Sequence, residues 1–214
     1  MRNEKEMIPV LTEYLNNHMG YSIIANELDS GYGIADIVAT IDSQEHHYYA
    51  FKHLIDVFLL ESLPFNKTII FDDICKLTSY SEKHLKYVVL KGFIEGGFLE
   101  KTENGYKRIK KLTTKRNPII AVEAKIEKWR NAFLQAIRYK KYADFCYVAL
   151  PEKAVKNVNL TLFKENNIGV LAVSPSKSVF KVLNSRQNKD KNDLYAIYVN
   201  GILYKDRQTT DSDV

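Results

Sequence analysis

Apolar positions along the chain change their period several times, and each change marks a predicted element. Met7, Val10, Leu11, Tyr14 and Leu15 recur at helical spacing, which predicts a first helix beginning near Ile8. Pro9 suits the first turn of that helix, and Gly20 ends it. Tyr21–Leu28 is rich in β-formers and reads as a strand. Asp29-Ser-Gly-Tyr-Gly33 is turn chemistry, and Ile34–Ile41 (IADIVATI) is a second strand with one acid, Asp36, embedded in it. A polar turn and a short segment, His46–Ala50, follow. Further on, Ala121–Lys125 is an apolar strand leading into a helix expected over Ile126–Tyr142, with Ile126, Trp129, Phe133, Ala136 and Ile137 as its buried stripe. Asp144–Leu150 is another strand, closed by Pro151. Thr161–Asn166 is a short helix and Gly169–Val173 a last apolar strand. Gln187–Asp193 reads as a linker. Leu194–Tyr204 fits strand or helix equally, and Asp206–Val214 has the composition of a disordered tail.

Residues 51 to 115 follow another rhythm. Phe51–Leu63 is helical and stops at Pro64, and Phe71–Leu77 is a short second helix. Ser81 can cap a third helix over Glu82–Glu95, which Gly96-Gly97 terminates. Phe98–Lys101 and Tyr106–Ile109 flank Asn104-Gly105, a strong hairpin signal. Helix, helix, turn, helix, hairpin is the order of a winged helix-turn-helix. Without this insert the chain reads helix, three strands, helix, strand, then a small helix and strand, an α/β layer fold. The expected organisation is therefore a core in two halves, 1–50 and 117–185, an insert at 51–116, and an extension at 186–214.

Composition adjusts this picture modestly. With 45% hydrophobic residues in 214, the chain can bury a sizeable core. The excess of 31 basic over 26 acidic residues is small, but its distribution is uneven. Lys101, Lys107, Arg108, Lys110, Lys111, Lys115 and Arg116 form a cationic strip broken only by Glu103, which suits a polyanion. Cys75 and Cys146 are far apart among apolar neighbours and read as reduced core residues. The adjacent pair His46-His47 reads as a surface feature. The acidic N-terminus is unlike a signal peptide, and no apolar run reaches membrane-spanning length, so a soluble cytoplasmic protein is expected.

The candidate chemistry lies on two strands. Period-two alternation puts Glu123 and Lys125 on one face of their strand, opposite Val122, Ala124 and Ile126. Gln135 and Tyr139 are one turn apart on the next helix and share a line along it. Phosphodiester hydrolysis needs hard divalent cations held by carboxylates, and a lysine to orient water or neutralise developing charge. Asp36 with Glu123 and Lys125 meets that demand if their strands pair. Each residue also has a plain structural role open to it: an edge ion pair, a turn acid, a polar helix edge.

In this order and on these element types, the residues resemble the PD-(D/E)XK nuclease superfamily, which has a restriction-endonuclease-like fold. The variable acid of that family falls on Asp36 within Gly33-Ile-Ala-Asp36, where the customary proline is missing, and the (D/E)XK falls on Glu123 and Lys125. The resemblance implies Asp36 and Glu123 as ligands of Mg²⁺ (or Mn²⁺), with the Ala124 carbonyl as a further ligand and Lys125 as the catalytic lysine. A subset of the family adds QxxxY on the following helix, which falls on Gln135 and Tyr139 and implies substrate contact and bracing of the site. Some members add a first-helix glutamate, for which Glu13 is the candidate, with Glu6 on the same line. In the insert, Ser81, Lys83 and Lys86, with Ser79 and Tyr80, are expected to face outward at the head of the third helix, where recognition helices meet DNA. Lys101, Lys107, Arg108, Lys110 and Lys111 are expected to reach phosphates. The expected function is a metal-dependent DNA endonuclease, and a double-strand cut would call for a homodimer. The alternatives are a non-catalytic DNA-binding regulator on a nuclease-like scaffold and, further off, an RNA-processing nuclease or a protein-interaction module.

Overall fold

Short apolar strands between amphipathic helices need cover on both faces, and the chain provides it in two units. The structure, a computed structural model, describes residues 3–42, 48–113 and 116–210, with side chains to Lys205. The His46-His47 pair and Lys115 lie outside the described residues. Unit one combines Met1–Tyr48 with Arg116–Val214, and unit two is Tyr49–Lys115.

Unit one is built on a six-stranded sheet of β1 (Ile23–Asp29), β2 (Ile34–Thr40), β6 (Ile119–Ala124), β7 (Phe145–Pro151), β8 (Gly169–Val173) and β9 (Val179–Leu183), in that spatial order. β2 pairs antiparallel with both β1 and β6, β6, β7 and β8 are parallel, and β9 returns antiparallel. The sheet is therefore mixed. A helix, α6 (Trp129–Tyr139), connects the parallel pair β6 and β7, as parallel neighbours require a crossover. Every residue of β6 is buried, which explains its near-continuous apolar run.

One face of the sheet is covered by α1 (Ile8–Met19), whose Val10, Leu11 and Leu15 meet Ile37, Ile120, Val122 and Leu171, together with Met7 just ahead of the helix. The other is covered by α6, by α8 (Leu160–Glu165) and by α9 (Asp193–Thr210). Their Phe133, Ala136, Phe163, Ala196 and Val199 meet Ile119, Ala121, Val148 and Val170. Within the expected extension, Ala196, Val199 and Leu203 belong to the core of unit one. The tail expected to be disordered from Asp206 is helical to Thr210.

Three short elements escape the sequence pattern in this unit: a 3-10 turn at Glu4–Glu6, α7 (Glu152–Val155) and β9. The helix expected from Ile126 begins at Trp129, because residues 125–128 first carry the chain away from the sheet. At the opposite end of the sheet, Asp144 accepts the Ile119 N–H at 2.9 Å and pairs with Arg116 (2.9 Å) and Lys191 (2.8 Å). Burial alone would raise the Asp144 pKa, but Lys191, the Ile119 amide and Arg116 outweigh it and hold it below its ordinary value.

Unit two contains α2 (Leu54–Ser62), β3 (Thr68–Ile69), α3 (Phe71–Cys75) and one long helix. That helix is composed of α4 (Glu82–His84), a π-helical segment Leu85–Leu90 and α5 (Lys91–Glu95). β4 (Leu99–Thr102) and β5 (Gly105–Arg108) follow, and β3 completes a three-stranded sheet in the order β3-β5-β4. Ser81 Oγ accepts the His84 N–H at 3.3 Å and so caps the long helix. The wider π turns change the helix phase, so that Leu85, Val89, Leu90 and Phe93 are buried together while Val88 is half-buried. Gly105 (φ 149°) lies against the Ile69 carbonyl, where a Cβ has no room.

Candidate active site

The β2–β6 ladder ends at Ile37/Val122, and the site begins where it ends. Asp36 is the next residue of β2. Its Oδ2 accepts the Ala124 N–H at 2.7 Å, so a side chain completes the pairing that the backbone has left. Glu123 and Lys125 follow the strand alternation onto one side, and Lys125 Nζ lies 2.8 Å from Glu123 Oε1 and 3.8 Å from Asp36 Oδ2. Asp36 is therefore brought together with Glu123 and Lys125, 87 and 89 residues further along the chain and beyond the insert.

Tyr139, buried on the last turn of α6, reaches back to this cluster. Its Oη donates to Glu123 Oε2 at 2.6 Å or to the Ile34 carbonyl at 2.8 Å. Gln135, one turn earlier, is half-buried, and its side chain makes no hydrogen bond among the described residues.

Glu13 is not part of the cluster. It is exposed and lines a separate surface hollow with Tyr14, His18 and Lys177. The N-terminal acid that does arrive is Glu4, whose Oε2 lies 3.3 Å from Lys125 Nζ. Glu6 stays with Asn3 in the 3-10 turn. Glu27 was also not foreseen. With a left-handed backbone (φ 52°) it lies between the β1–β2 pairs Asn26/Ile37 and Leu28/Ala35, the gap that Asp36 shares on β2, and its charge acts on Asp36. Neither acid follows an apolar period; only the pairing register could have pointed to Glu27.

Electrostatics follow from burial. Glu123 is 1% exposed, and desolvation raises its pKa above the usual carboxylate value; its bonds from Lys125 and Tyr139 oppose the rise, and Asp36 adds to it. Asp36 is also raised by burial, with Ala124 N–H and Lys125 opposing and Glu4 and Glu27 adding. For Lys125 burial acts downward, but Glu123, Asp36 and Glu4 outweigh it and raise its pKa, so the amine is a firm ammonium. Burial and the neighbouring Glu123 push the Tyr139 phenol far above its ordinary range, so it stays protonated.

Among the described residues, no three His, Cys, Asp or Glu side chains form a ready-made metal cage. The donors around Lys125 are nevertheless all oxygens: Asp36, Glu123, Glu4 and the Ala124 carbonyl, which is 3.2 Å from Nζ. In type they fit a hard cation such as Mg²⁺ or Mn²⁺.

The expected phosphate contacts in unit two divide sharply. Arg108 is 4% exposed and is spent internally, on Glu61, the Glu61 and Leu63 carbonyls and the Lys110 carbonyl. It is a structural residue, not a surface cation. Arg116 is likewise removed from the strip: its side chain is 5% exposed and pairs with Asp144 and Asp193. Lys107 pairs with Glu100 at 3.1 Å. Tyr80 donates to the buried Asp56 at 2.9 Å instead of facing outward. Ser81, Lys83, Lys86, Lys101, Lys110 and Lys111 are exposed, with Lys86 over the Tyr87 ring, Lys110 over Phe98 and Lys111 over Phe65.

No family model, curated protein or solved structure matches the chain. No helix among the described residues is long and apolar enough to cross a membrane.

Proposed function

We propose that the chain is a metal-dependent DNA nuclease, with a restriction-endonuclease-like core in unit one and a winged helix in unit two that holds DNA. The observation that carries this reading is the meeting of Asp36, Glu123 and Lys125 at the end of the β2–β6 ladder. The order of elements in unit two, helix, strand, helix, helix, hairpin, supports the winged helix.

The residues have separable roles. Asp36, Glu123 and the Ala124 carbonyl are the cation ligands, with Glu4 beside them. When bound there, Mg²⁺ or Mn²⁺ would polarise a phosphoryl oxygen and lower the pKa of a water ligand. Lys125, a firm ammonium, orients the attacking water and offsets charge growing on the phosphoryl oxygens. Ala124 N–H fixes Asp36, and Tyr139 fixes Glu123. Gln135, with its amide unspent, faces substrate. Ser81, Lys83, Lys86 and Lys101, with Lys110 and Lys111, supply contacts to the DNA backbone.

The test is nicking of supercoiled plasmid with Mg²⁺ or Mn²⁺, alongside a gel shift. Wild-type protein nicks. Asp36→Asn, Glu123→Gln and Lys125→Ala keep the shift and lose at least about 100-fold in rate, the scale of a lost charge-stabilising group. A wild-type protein that shifts DNA but never nicks it would leave the scaffold as a DNA-binding module.

A further inference from the structure

Parallel strands end on the same edge of a sheet. The Lys125 N–H donates to the Ala149 carbonyl of β7 at 3.0 Å, and Ala124 is in register with Ala149. Pro151, two residues on, is in register with Val173 of β8. Beside these strand ends opens a hollow of about 290 Å³, lined by Pro151, Glu152, Lys153, Lys156, Val173 and Pro175. Strand spacing and rise place the Pro151 backbone about 6 Å from that of Lys125, and the far wall on β8 about 10 Å away.

The hollow has two chemical halves. Pro151, Val173 and Pro175 give it an apolar wall. Lys153 on α7 and Lys156, the residue that caps its C-terminus with helical backbone angles, are three apart and so on one side; both are exposed, and neither has an ion partner among the described residues. Glu152 is the one acid in the lining and opposes them. An uncommitted pair of ammoniums beside an apolar wall suits a phosphodiester with its sugar.

We infer that this hollow is a second phosphate subsite for the strand held at Lys125, gripping a backbone phosphate about two or three nucleotides along from the one at the Asp36–Glu123–Lys125 cluster. DNA advances about 3.4 Å per nucleotide along each strand, so 6–10 Å is roughly two or three steps. The inference rests on the nuclease reading for its substrate, but its test needs no cutting. The subsite involves none of the residues assigned to the winged helix, so it reports how unit one itself grips DNA.

The probe is a fluorescent 20-base-pair duplex titrated by anisotropy without divalent ions, over a range of salt. Lys153→Gln/Lys156→Gln in the full chain binds at least about tenfold more weakly at low salt. Its log Kd against log salt slope is shallower by about 0.9, one phosphate no longer neutralised. Glu152→Gln binds more tightly than wild type. Circular dichroism confirms that each variant is folded. Unchanged affinity and slope in the double lysine variant, with plasmid nicking intact, overturn the subsite and leave the nuclease reading standing. Loss of nicking in Lys125→Ala with an unchanged slope marks the opposite boundary: it concerns the cluster, and the double variant alone decides the subsite.

Discussion

Tyr139 Oη lies within hydrogen-bond reach of Glu123 Oε2 and of the Ile34 carbonyl, yet a phenol has one proton to give. Its value to the site is therefore positional: it ties α6 to both strands that carry the acids. Tyr139→Phe keeps the ring in the core and removes only this tie. Metal-dependent nicking should fall by about 10- to 100-fold, as when a partner of a metal ligand is lost. Gln135→Ala, at a side chain with no internal bond, should leave the melting temperature within about 2 °C and weaken substrate binding, read as a raised KM. At this scale the sequence was most legible where alternation applied. Glu123 and Lys125 share a face because strands have period two, and Tyr139 follows Gln135 because helices turn every 3.6 residues. Glu4 was not legible, because it reaches Lys125 from a 3-10 turn outside any periodic run. Glu13 was assigned by its helix, but the phase of α1 turns it toward Tyr14 and Lys177 instead.

Among the elements, β5 shows how a charge count misleads. Tyr106 and Arg108 are two apart and both buried, while Lys107 between them is half-exposed. Once Tyr106 is taken as inward, alternation puts Arg108 inward too; counting basic residues along the strip hid this. The guanidinium is satisfied by Glu61 and three carbonyls, so its removal leaves those acceptors unpaired. Arg108→Ala should destabilise unit two by about 1–3 kcal/mol, the cost of leaving buried acceptors without their donor, seen as a lowered urea midpoint. Lys101→Ala, at an exposed residue of β4, should cost under about 0.5 kcal/mol yet reduce the DNA salt slope by about 1. The elements that the pattern missed, β3, α7 and β9, are two, four and five residues long. Runs so short cannot establish a period. β6 was legible because burial on both faces demands an unbroken apolar run.

For the molecule as a whole, the α/β layering was legible and the role of the C-terminal helix was not. Leu194–Tyr204 shows no single helical stripe, since α9 buries Ile197 and the polar Asn200 as well as Ala196, Val199 and Leu203, while Asp193 pairs with Arg116 at its start. The Arg116–Asp144–Lys191 network beside it sets an acid limit on stability. The folded state holds Asp144 below its ordinary pKa, so its stabilisation is complete above about 3.9. It is lost as pH falls through the lower, folded value. Asp144→Asn should lower the melting temperature at pH 7 and flatten the decline below pH 4. The insertion itself gives the most demanding prediction. Thr40 is in register with Ile119, and the Asn117 N–H donates to Tyr48 Oη at 2.8 Å, so the two ends of unit one at the insertion point already meet. Both apolar clusters that clamp the sheet consist of unit-one residues alone. Replacing Tyr49–Lys115 by a short Gly/Ser linker therefore removes no residue from that core, and loop closure changes by only about 0.6 kcal/mol per doubling of length. The shortened chain should unfold in one cooperative transition. It should retain metal-dependent nicking at high protein concentration while losing affinity for duplex DNA, because the cluster remains and the exposed lysines of unit two do not. A shortened chain that is folded, cooperative and inactive even at saturating DNA would mean that unit two contributes to the chemistry and not only to binding.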